Sequence, residues 1–578
     1  MVALLGATLL LPIWLTVQGA FTNDAGHFSL TSIAGVLSDP YLQQGLRSSL
    51  GIALGTTLLA IVLAVPLAVL AARAQFPGKK LFGAIVLVPM ILPPFVGAIG
   101  FRHLLDRGGA LDALCASLGL PSYDFFGDGG LGGIILVEAL HLYPIIYLNV
   151  LAALANVDPA LDEAARGVGV PAWKRFARVT LPLSRPGLFA GATLVFVWSF
   201  TELGTPLMFE YRAVTPVQIF DGLKAVQTSR EPFALTVVML TMSVVIYVFG
   251  KTLFGRPLPA SAVKASIRGE DVTLRSWRGW GATALFTIVT AAAVLPHIGV
   301  ILASIGVAGS WHESIIPAQF TGRYFGDAMG HQLTVGAMRN SIGLSLAAVT
   351  VDIVLGVFIA RVLVRGKAFG RPLLDGLSML PLAVPGLVMA FGFVALSLAW
   401  PFGGLMPSWL AAILPSGLAD SLRQAPLASV GTIMGAEPNP FPFLAIAYAV
   451  RRLPYVVRAA SAGLEQTPEA LEEAAAMTGA SRWFTMRRVV APLVAANLIA
   501  GGMLAFAFSM LEVSDSLILA QREPDFPVTK AIYSLHERLG DGDSIASALG
   551  VWAMALLAAT LIGASLIMGK RLGAVFRG

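Results

Sequence analysis

The sequence predicts an all-α polytopic membrane protein of about twelve spans, arranged as two parallel six-helix halves. Three observations predict it. The 578 residues are 56% hydrophobic and only 12% charged, with a mean hydropathy of +0.78; a soluble domain carries about twice that charged fraction. The apolar residues fall in runs of roughly twenty, the length an α-helix needs to cross a bilayer's hydrocarbon core. The pattern of runs and loops then occurs twice. Continuous runs are also not the alternating strands of a membrane β-barrel.

In chain order the spans are expected at 2–20, 49–72, 81–103, 132–156, 187–207 and 234–254, then at 281–306, 340–364, 372–399, 441–463, 496–519 and 546–569. Most basic residues follow alternate spans: Arg73, Lys79 and Lys80, the segments 157–186 and 251–280, Arg361, Arg365 and Arg371, and Arg458, Arg482, Arg487 and Arg488. An excess of Lys and Arg marks cytoplasmic loops, so these loops and both termini are expected in the cytoplasm. The net charge of +6 is then a topological bias and not a nucleic-acid surface. Cys115 is the single cysteine, which excludes an internal disulfide and a zinc-ligand spacing. The run that begins at Met1 has no basic segment before it and reads as a first span, not a cleaved signal peptide.

The duplication is legible residue by residue. Arg47, Ser49 and Gly51 match Arg339, Ser341 and Gly343; Pro89, Pro93, Gly100 and Phe101 match Pro381, Pro385, Gly392 and Phe393. Pro144, Glu163, Gly191, Phe196, Ser199 and Glu202 match Pro454, Glu473, Gly501, Phe506, Ser509 and Glu512, with an insertion in the second half around 400–440. The expected division is a first transmembrane domain at 1–254 with a loop at 157–186, a polar, basic linker at 255–280, and a second domain at 281–578 with a loop at 464–495. Six spans per half insert both halves the same way up, which predicts a pseudo-two-fold axis along the membrane normal and a pathway between the halves.

The repeated loop is the strongest motif. Its copies read Glu163-Ala164-Ala165, then Gly169, then Leu181-Pro182, and Glu473-Ala474-Ala475, then Gly479, then Ala491-Pro492, with identical spacing. Asp158-Pro159 and Thr467-Pro468 supply an N-cap side chain followed by proline at the first helical position. Asp162, Glu163, Glu472 and Glu473 put negative charge at the positive end of the helix dipole. Gly169 and Gly479 stand where a left-handed residue ends the helix. The result is a helix of about ten residues outside the bilayer. Its alanines allow close approach of another protein, and Glu163 and Glu473 offer a charge to it. Aromatics follow at Trp173 and Trp483, and Pro182 and Pro492 are expected to turn the chain into the next span.

This pattern resembles the EAA signature of the membrane subunits of binding-protein-dependent ABC importers, with two such permease domains fused over nearly the whole chain. The resemblance implies the type I ABC importer permease fold and a bacterial inner-membrane location. It also implies two cytoplasmic ABC ATPase subunits and a periplasmic or lipid-anchored solute-binding protein as partners. By it, Glu163, Ala164, Ala165 and Gly169, with Glu473, Ala474, Ala475 and Gly479, are the residues that couple the pathway to the ATPases. Ala491 departs from the usual leucine. ATP and Mg are expected on the partner subunits and no cofactor on this chain. A phosphate loop needs Gly, four residues, then Gly-Lys-Ser/Thr, and Gly250-Lys251-Thr252 has Val245 where that first glycine belongs.

Polar residues inside spans are costly and face a cavity or a partner. Glu202 and Glu512, with Ser199 and Ser509 three residues before them, are candidates either to line the pathway or to be solvated or paired near the outer interface. Arg451 and Arg452 lie about ten residues into a span, roughly 15 Å deep; they attract an anionic solute or pair with a carboxylate on a neighbouring helix. Glu138 and Asp352 read as pathway residues or as members of interhelical hydrogen bonds, and His141 as structural. No metal-ligand set is expected. Arg451-Arg452-Leu453-Pro454, Glu202-Leu203-Gly204-Thr205-Pro206 and the fused layout resemble the ferric-iron branch of these permeases. Thiamine, phosphonate, sugar-phosphate and polyamine permeases are similar. A secondary transporter of major-facilitator type has the same span count, but its cytoplasmic signature falls between spans two and three, here only the short stretch from Arg73 to Lys80. A membrane enzyme finds no paired carboxylates or nucleophile to support it.

Overall fold

The computed structural model describes residues 1–568 apart from 24–25, 92, 122–129, 156, 159, 255–271, 275–276, 367–369 and 435–436. Most of the expected linker at 255–280 therefore lies outside the described residues, as does Pro159. The helices that matter here are, in chain order, α1 (Val2–Ala20), α2 (Pro40–Arg73), α3 (Pro94–Leu105), α4 (Leu131–Ala155), α5 (Ala160–Gly167), α6 (Leu181–Phe200), α7 (Gly204–Met208), α8 (Thr215–Gly222), α9 (Glu231–Phe254) and α10 (Trp277–Ile305). The second half continues with α11 (Gln332–Arg365), α12 (Arg371–Ala383), α13 (Gly386–Leu398), α14 (Phe441–Glu465), α15 (Ala470–Met477), α16 (Ala491–Met510), α17 (Ser514–Leu519), α18 (Val528–His536) and α19 (Gly542–Met568). The only strands among the described residues are a two-residue parallel pair, Ala74–Gln75 with Val272–Thr273.

Among the described residues nine helices are long and apolar enough to cross a membrane, and up to eleven spans result if each of two bent pairs is one span. The twelfth expected span is α14, a 25-residue helix that carries Arg451, Arg452 and Arg458. Two expectations need correction. The spans at 81–103 and 372–399 are not straight: Lys79–Met90 meets Pro94–Ser117 at 98°, and α12 meets α13 at 105°. The break falls at the matched Pro93 and Pro385, whose φ and ψ (−56°, 140° and −56°, 135°) are extended. Val384, before Pro385, is pushed to ψ 129°, because the proline ring excludes the helical region for the residue ahead of it.

The second correction concerns Pro182 and Pro492, which do not turn the chain. Ala172–Phe200 and Trp483–Met510 each run on as helix, with one π turn at Phe176–Thr180 and at Met486–Val490. Each proline falls in the first turn after the π turn. There a missing N–H and a bulky ring are absorbed by widening the helix instead of breaking it. The spans expected at 187–207 and 496–519 accordingly end earlier, at Phe200 and Met510.

The chain packs into two compact units, and they do not follow the sequence halves. Among the described residues, one comprises 1–40, 218–240 and 323–568; the other comprises 41–217 and 241–322. In the first unit α11, α14 and α16 pack side by side, and α1 lies along α13. In the second, α4 packs on α6, and α10 lies along α3. Each half's opening span thus joins the other half's bent span. The matched glycines explain the closeness: a Cβ on Gly100 would come within 2.3 Å of the Pro296 carbonyl oxygen, and one on Gly392 within 2.9 Å of Pro12. The repeat also shows in a matched hydrogen bond within each unit. The Ser49 hydroxyl accepts from the Thr215 N–H at 2.9 Å, and the Ser341 hydroxyl from the Val528 N–H at 2.8 Å.

Candidate functional site

The two loop helices, α5 and α15, start differently and end alike. Asp158 Oδ1 accepts from the Ala160 N–H at 3.0 Å, the cap the sequence leads one to expect. Thr467 does not cap: its hydroxyl donates to the Gly463 carbonyl at 2.9 Å, one turn back in the preceding helix. At the other end the bonds are the same in both copies. Gly169 and Val170 donate to Arg166 and Ala165 at 3.0 and 3.1 Å; Gly479 and Ala480 donate to Ala476 and Ala475, both at 3.0 Å. Gly169 and Gly479 have φ of 76° and 80°, the left-handed stop of a Schellman-type end.

Glu163, Ala164, Glu473 and Ala474 are exposed, while Ala165 and Ala475 are half-buried. Beside them stand large apolar side chains at matched positions, Leu161 and Leu471, and Trp173 and Trp483, the tryptophans 68% and 66% exposed. Each loop helix thus presents a thin edge flanked by exposed leucine, tryptophan and carboxylate. The neighbouring acid, Glu472, does a different task. It is paired with Arg361 at 2.8 Å and with Arg365 at 3.4 Å. Arg365 also donates to the Leu464 and Thr467 carbonyls at 2.9 and 2.5 Å. These contacts tie α15 to the C-terminal end of α11. Sequence reading placed Glu472 among the first-turn acids and missed this tie, because its partners lie more than a hundred residues away.

The intramembrane candidates separate into two groups. In the first unit Arg451, Arg452 and Glu512 come together with Asp515. Arg451 Nη1 donates to Glu512 at 2.6 Å and to Asp515 at 3.3 Å, and Arg452 pairs with the other Glu512 oxygen while donating to the Phe508 carbonyl at 3.0 Å. Two guanidinium groups face two carboxylates, so the cluster is formally neutral. Glu512 lies in the break between α16 and α17, not inside a straight span. Gly386 makes room for the cluster: a Cβ there would fall 2.3 Å from an Arg451 nitrogen. Tyr448 and Ser516 share a hydrogen bond of 2.6 Å beside it. Ser509 Oγ has no hydrogen-bond partner among the described residues. Asp515, inside the run expected to span at 496–519, was not among the sequence candidates; its partner Arg451 lies 64 residues away.

In the second unit the matched positions behave differently. Glu202, in the break between α6 and α7, accepts from the Gly204 and Thr205 N–H groups at 3.1 and 3.3 Å, so its carboxylate serves the start of α7. Ser199 does not face Glu202; it donates to the buried Glu138, which also accepts from Thr56 at 3.4 Å. His141 Nδ1 meets the Pro89 carbonyl at 2.8 Å, the structural role expected of it. Asp352, back in the first unit, makes no interhelical hydrogen bond among the described residues; both its carboxylate oxygens are buried without a partner. Among the described residues no group of three His, Cys, Asp or Glu gathers as a metal site.

A duplicated membrane domain, with one exposed helix of this kind per repeat, defines a transport permease. The chain belongs to the family of binding-protein-dependent transport system inner membrane components, whose model matches residues 64–258 and 352–573. It is 24% identical over 523 residues to the putative ferric transport system permease protein FbpB 1 of Haemophilus influenzae, covering 86% of this chain and 73% of that one. It is 32% identical over 181 residues to the molybdenum transport system permease protein ModB of Escherichia coli K12, covering 30% of this chain and 74% of that one. A solved bacterial ABC transporter involved in import of the acidic polysaccharide alginate is 18% identical, with a TM-score of 0.36, and covers 41% of this chain and 87% of that one. The chain is an ABC importer permease.

Proposed function

We propose that this permease carries ferric iron, delivered by an extracytoplasmic binding protein and driven by two ATPase subunits docked on α5 and α15. The observation that supports iron is coverage: the ferric relative aligns across both repeats, 86% of the chain. In this reading the chain sits in the bacterial inner membrane with both termini inside. Glu163, Ala164, Ala165 and Gly169, with Glu473, Ala474, Ala475 and Gly479, present the docking edges, and ATP and Mg bind the partners. The Arg451–Arg452–Glu512–Asp515 cluster holds the break between α16 and α17 in shape, a use favoured by its charge balance.

A second reading, molybdate, rests on the higher identity to a molybdenum permease over 181 residues. The test is uptake into proteoliposomes holding the permease, its ATPases and its binding protein. Radioactive ferric iron accumulating with ATP, and molybdate not, is the expected outcome. Molybdate accumulating in its place overturns the choice of iron and leaves the permease assignment standing.

A further inference from the structure

A cavity of about 230 Å³ lies within the first unit, walled by α1, α11 and α14. Its walls are apolar, with Leu4 and Leu5 from α1, Val351 from α11 and Ile446 from α14, and they include two polar side chains, Thr8 and Asp352. Asp352 is only 1% exposed, and neither of its carboxylate oxygens has a hydrogen-bond partner among the described residues. An unpartnered buried carboxyl is among the costliest groups a fold can carry.

The repeat shows that packing does not demand this acid. In the register that matches Ser49 and Gly51 with Ser341 and Gly343, Asp352 corresponds to Ala60, which is fully buried in the apolar core of its own unit. The cavity also has an outer rim: Leu4, Val351 and Ile446 line it and are 48%, 45% and 39% exposed. On membrane-crossing helices such exposed apolar side chains meet lipid tails. Water is a poor occupant of such a place. A buried water takes about three hydrogen bonds, and here the walls beyond Asp352 are apolar, while the Thr8 hydroxyl donates back to the Leu4 carbonyl at 3.0 Å.

We infer that this cavity binds a neutral alcohol dissolved in the bilayer, its alkyl or ring body against the apolar walls and its hydroxyl hydrogen-bonded to the Asp352 carboxyl. Size suits the body: an apolar cavity of about 150 Å³ holds a benzene, and this one is larger. An apolar pocket with one or two placed polar groups is the ordinary form of a small-molecule site. A hydroxyl both donates and accepts, so it serves the carboxyl whether or not that group carries a proton. The charge that bears on Asp352 is the Arg452 guanidinium, and it disfavours a cationic head group beside it. The ligand comes from the membrane, so the site does not depend on which solute the permease carries.

The test uses the permease assembled with its ATPases in lipid nanodiscs, with octanol bearing a photoactivatable diazirine as the probe and mass spectrometry to map the labelled positions. Saturable labelling is expected within 4–8, 347–355 and 445–453, competed by plain octanol and not by octane, which has the same body and no hydroxyl. Asp352→Leu, close in size and unable to hydrogen-bond, should raise the half-saturating concentration about tenfold, the scale of one lost hydrogen bond. Asp352→Asn keeps a donor and an acceptor and should label nearly as the wild type does. ATPase recovery on purification checks that both variants are assembled. Octane competing as well as octanol in the wild type overturns the inference, whatever the variants do. So does wild-type half-saturation in Asp352→Leu, or equal loss in both variants, which marks a packing role. Octylamine competing better than octanol assigns the site to a cation and overturns the neutral head group.

Discussion

Glu512 holds two arginines while its repeat counterpart Glu202 holds two backbone N–H groups, so one inherited residue does two tasks set by its neighbours. The cluster around Glu512 makes a sharp prediction. Removing one member of a buried, balanced set strands a charge, at a cost of about 3 kcal/mol or more. Arg452→Gln or Glu512→Gln alone should lower the thermal unfolding midpoint of the purified permease strongly, and the double variant should recover part of the loss. A double variant less stable than the sum of the singles would show that the pair is not the source. If Arg451→Gln and Arg452→Gln leave uptake and stimulated ATP turnover unchanged in the folded protein, the arginines serve shape alone. Lys530, buried on α18, gives a pH prediction. Its folded value of about 8 lies below the ordinary 10.5, so between these values the unfolded chain binds a proton that the folded chain does not. Stability contributed at this site therefore rises as pH rises from 8 to 10.5, and the burial penalty is fully present below 8. Lys530→Met should abolish that rise, read as the pH dependence of the unfolding midpoint relative to wild type.

Among the elements, the loop helices were the most legible in sequence, because their signals are local. A cap at Asp158, small residues at Ala164 and Ala474, and glycines at 169 and 479 each act within a turn of themselves. Thr467 misled for the opposite reason: its hydroxyl has a competing acceptor in the preceding helix, at Gly463, which a linear reading of the cap does not weigh. The bends at Pro93 and Pro385 were visible as matched prolines but not as breaks, since a proline in an apolar run also occurs inside continuous helix, as Pro144 and Pro454 do. Pro182 and Pro492 erred the other way, the π turns keeping the helix whole. Of the candidate site, the exposed face of α15 was legible and the Glu472 tie to Arg361 and Arg365 was not. That tie joins α15 to α11 and gives a mechanical prediction for the proposed docking. Glu472→Ala should preserve ATPase binding through the exposed edge and lower solute moved per ATP hydrolysed. Coupled transport at the wild-type ratio would remove the tie from the mechanism.

For the whole molecule, composition and duplication sufficed for the class, because a membrane imposes run length and loop charge on any chain that crosses it. They did not reveal that each half's first span packs with the other half's bent span. That exchange depends on surfaces such as Gly100 against Pro296 and Gly392 against Pro12, and sequence spacing carries no information about which of two equivalent grooves a helix enters. The duplicated loops give this chain two equivalent handles, and the whole account turns on their being the place where motor subunits grip. The measurement that tests this most directly is co-purification of the ATPase subunits, with solute uptake, for Glu163→Lys combined with Glu473→Lys. Both positions are exposed on the loop helices, so the folded permease should persist while ATPase recovery and uptake fall together. Normal assembly with normal uptake in that double variant would contradict the account.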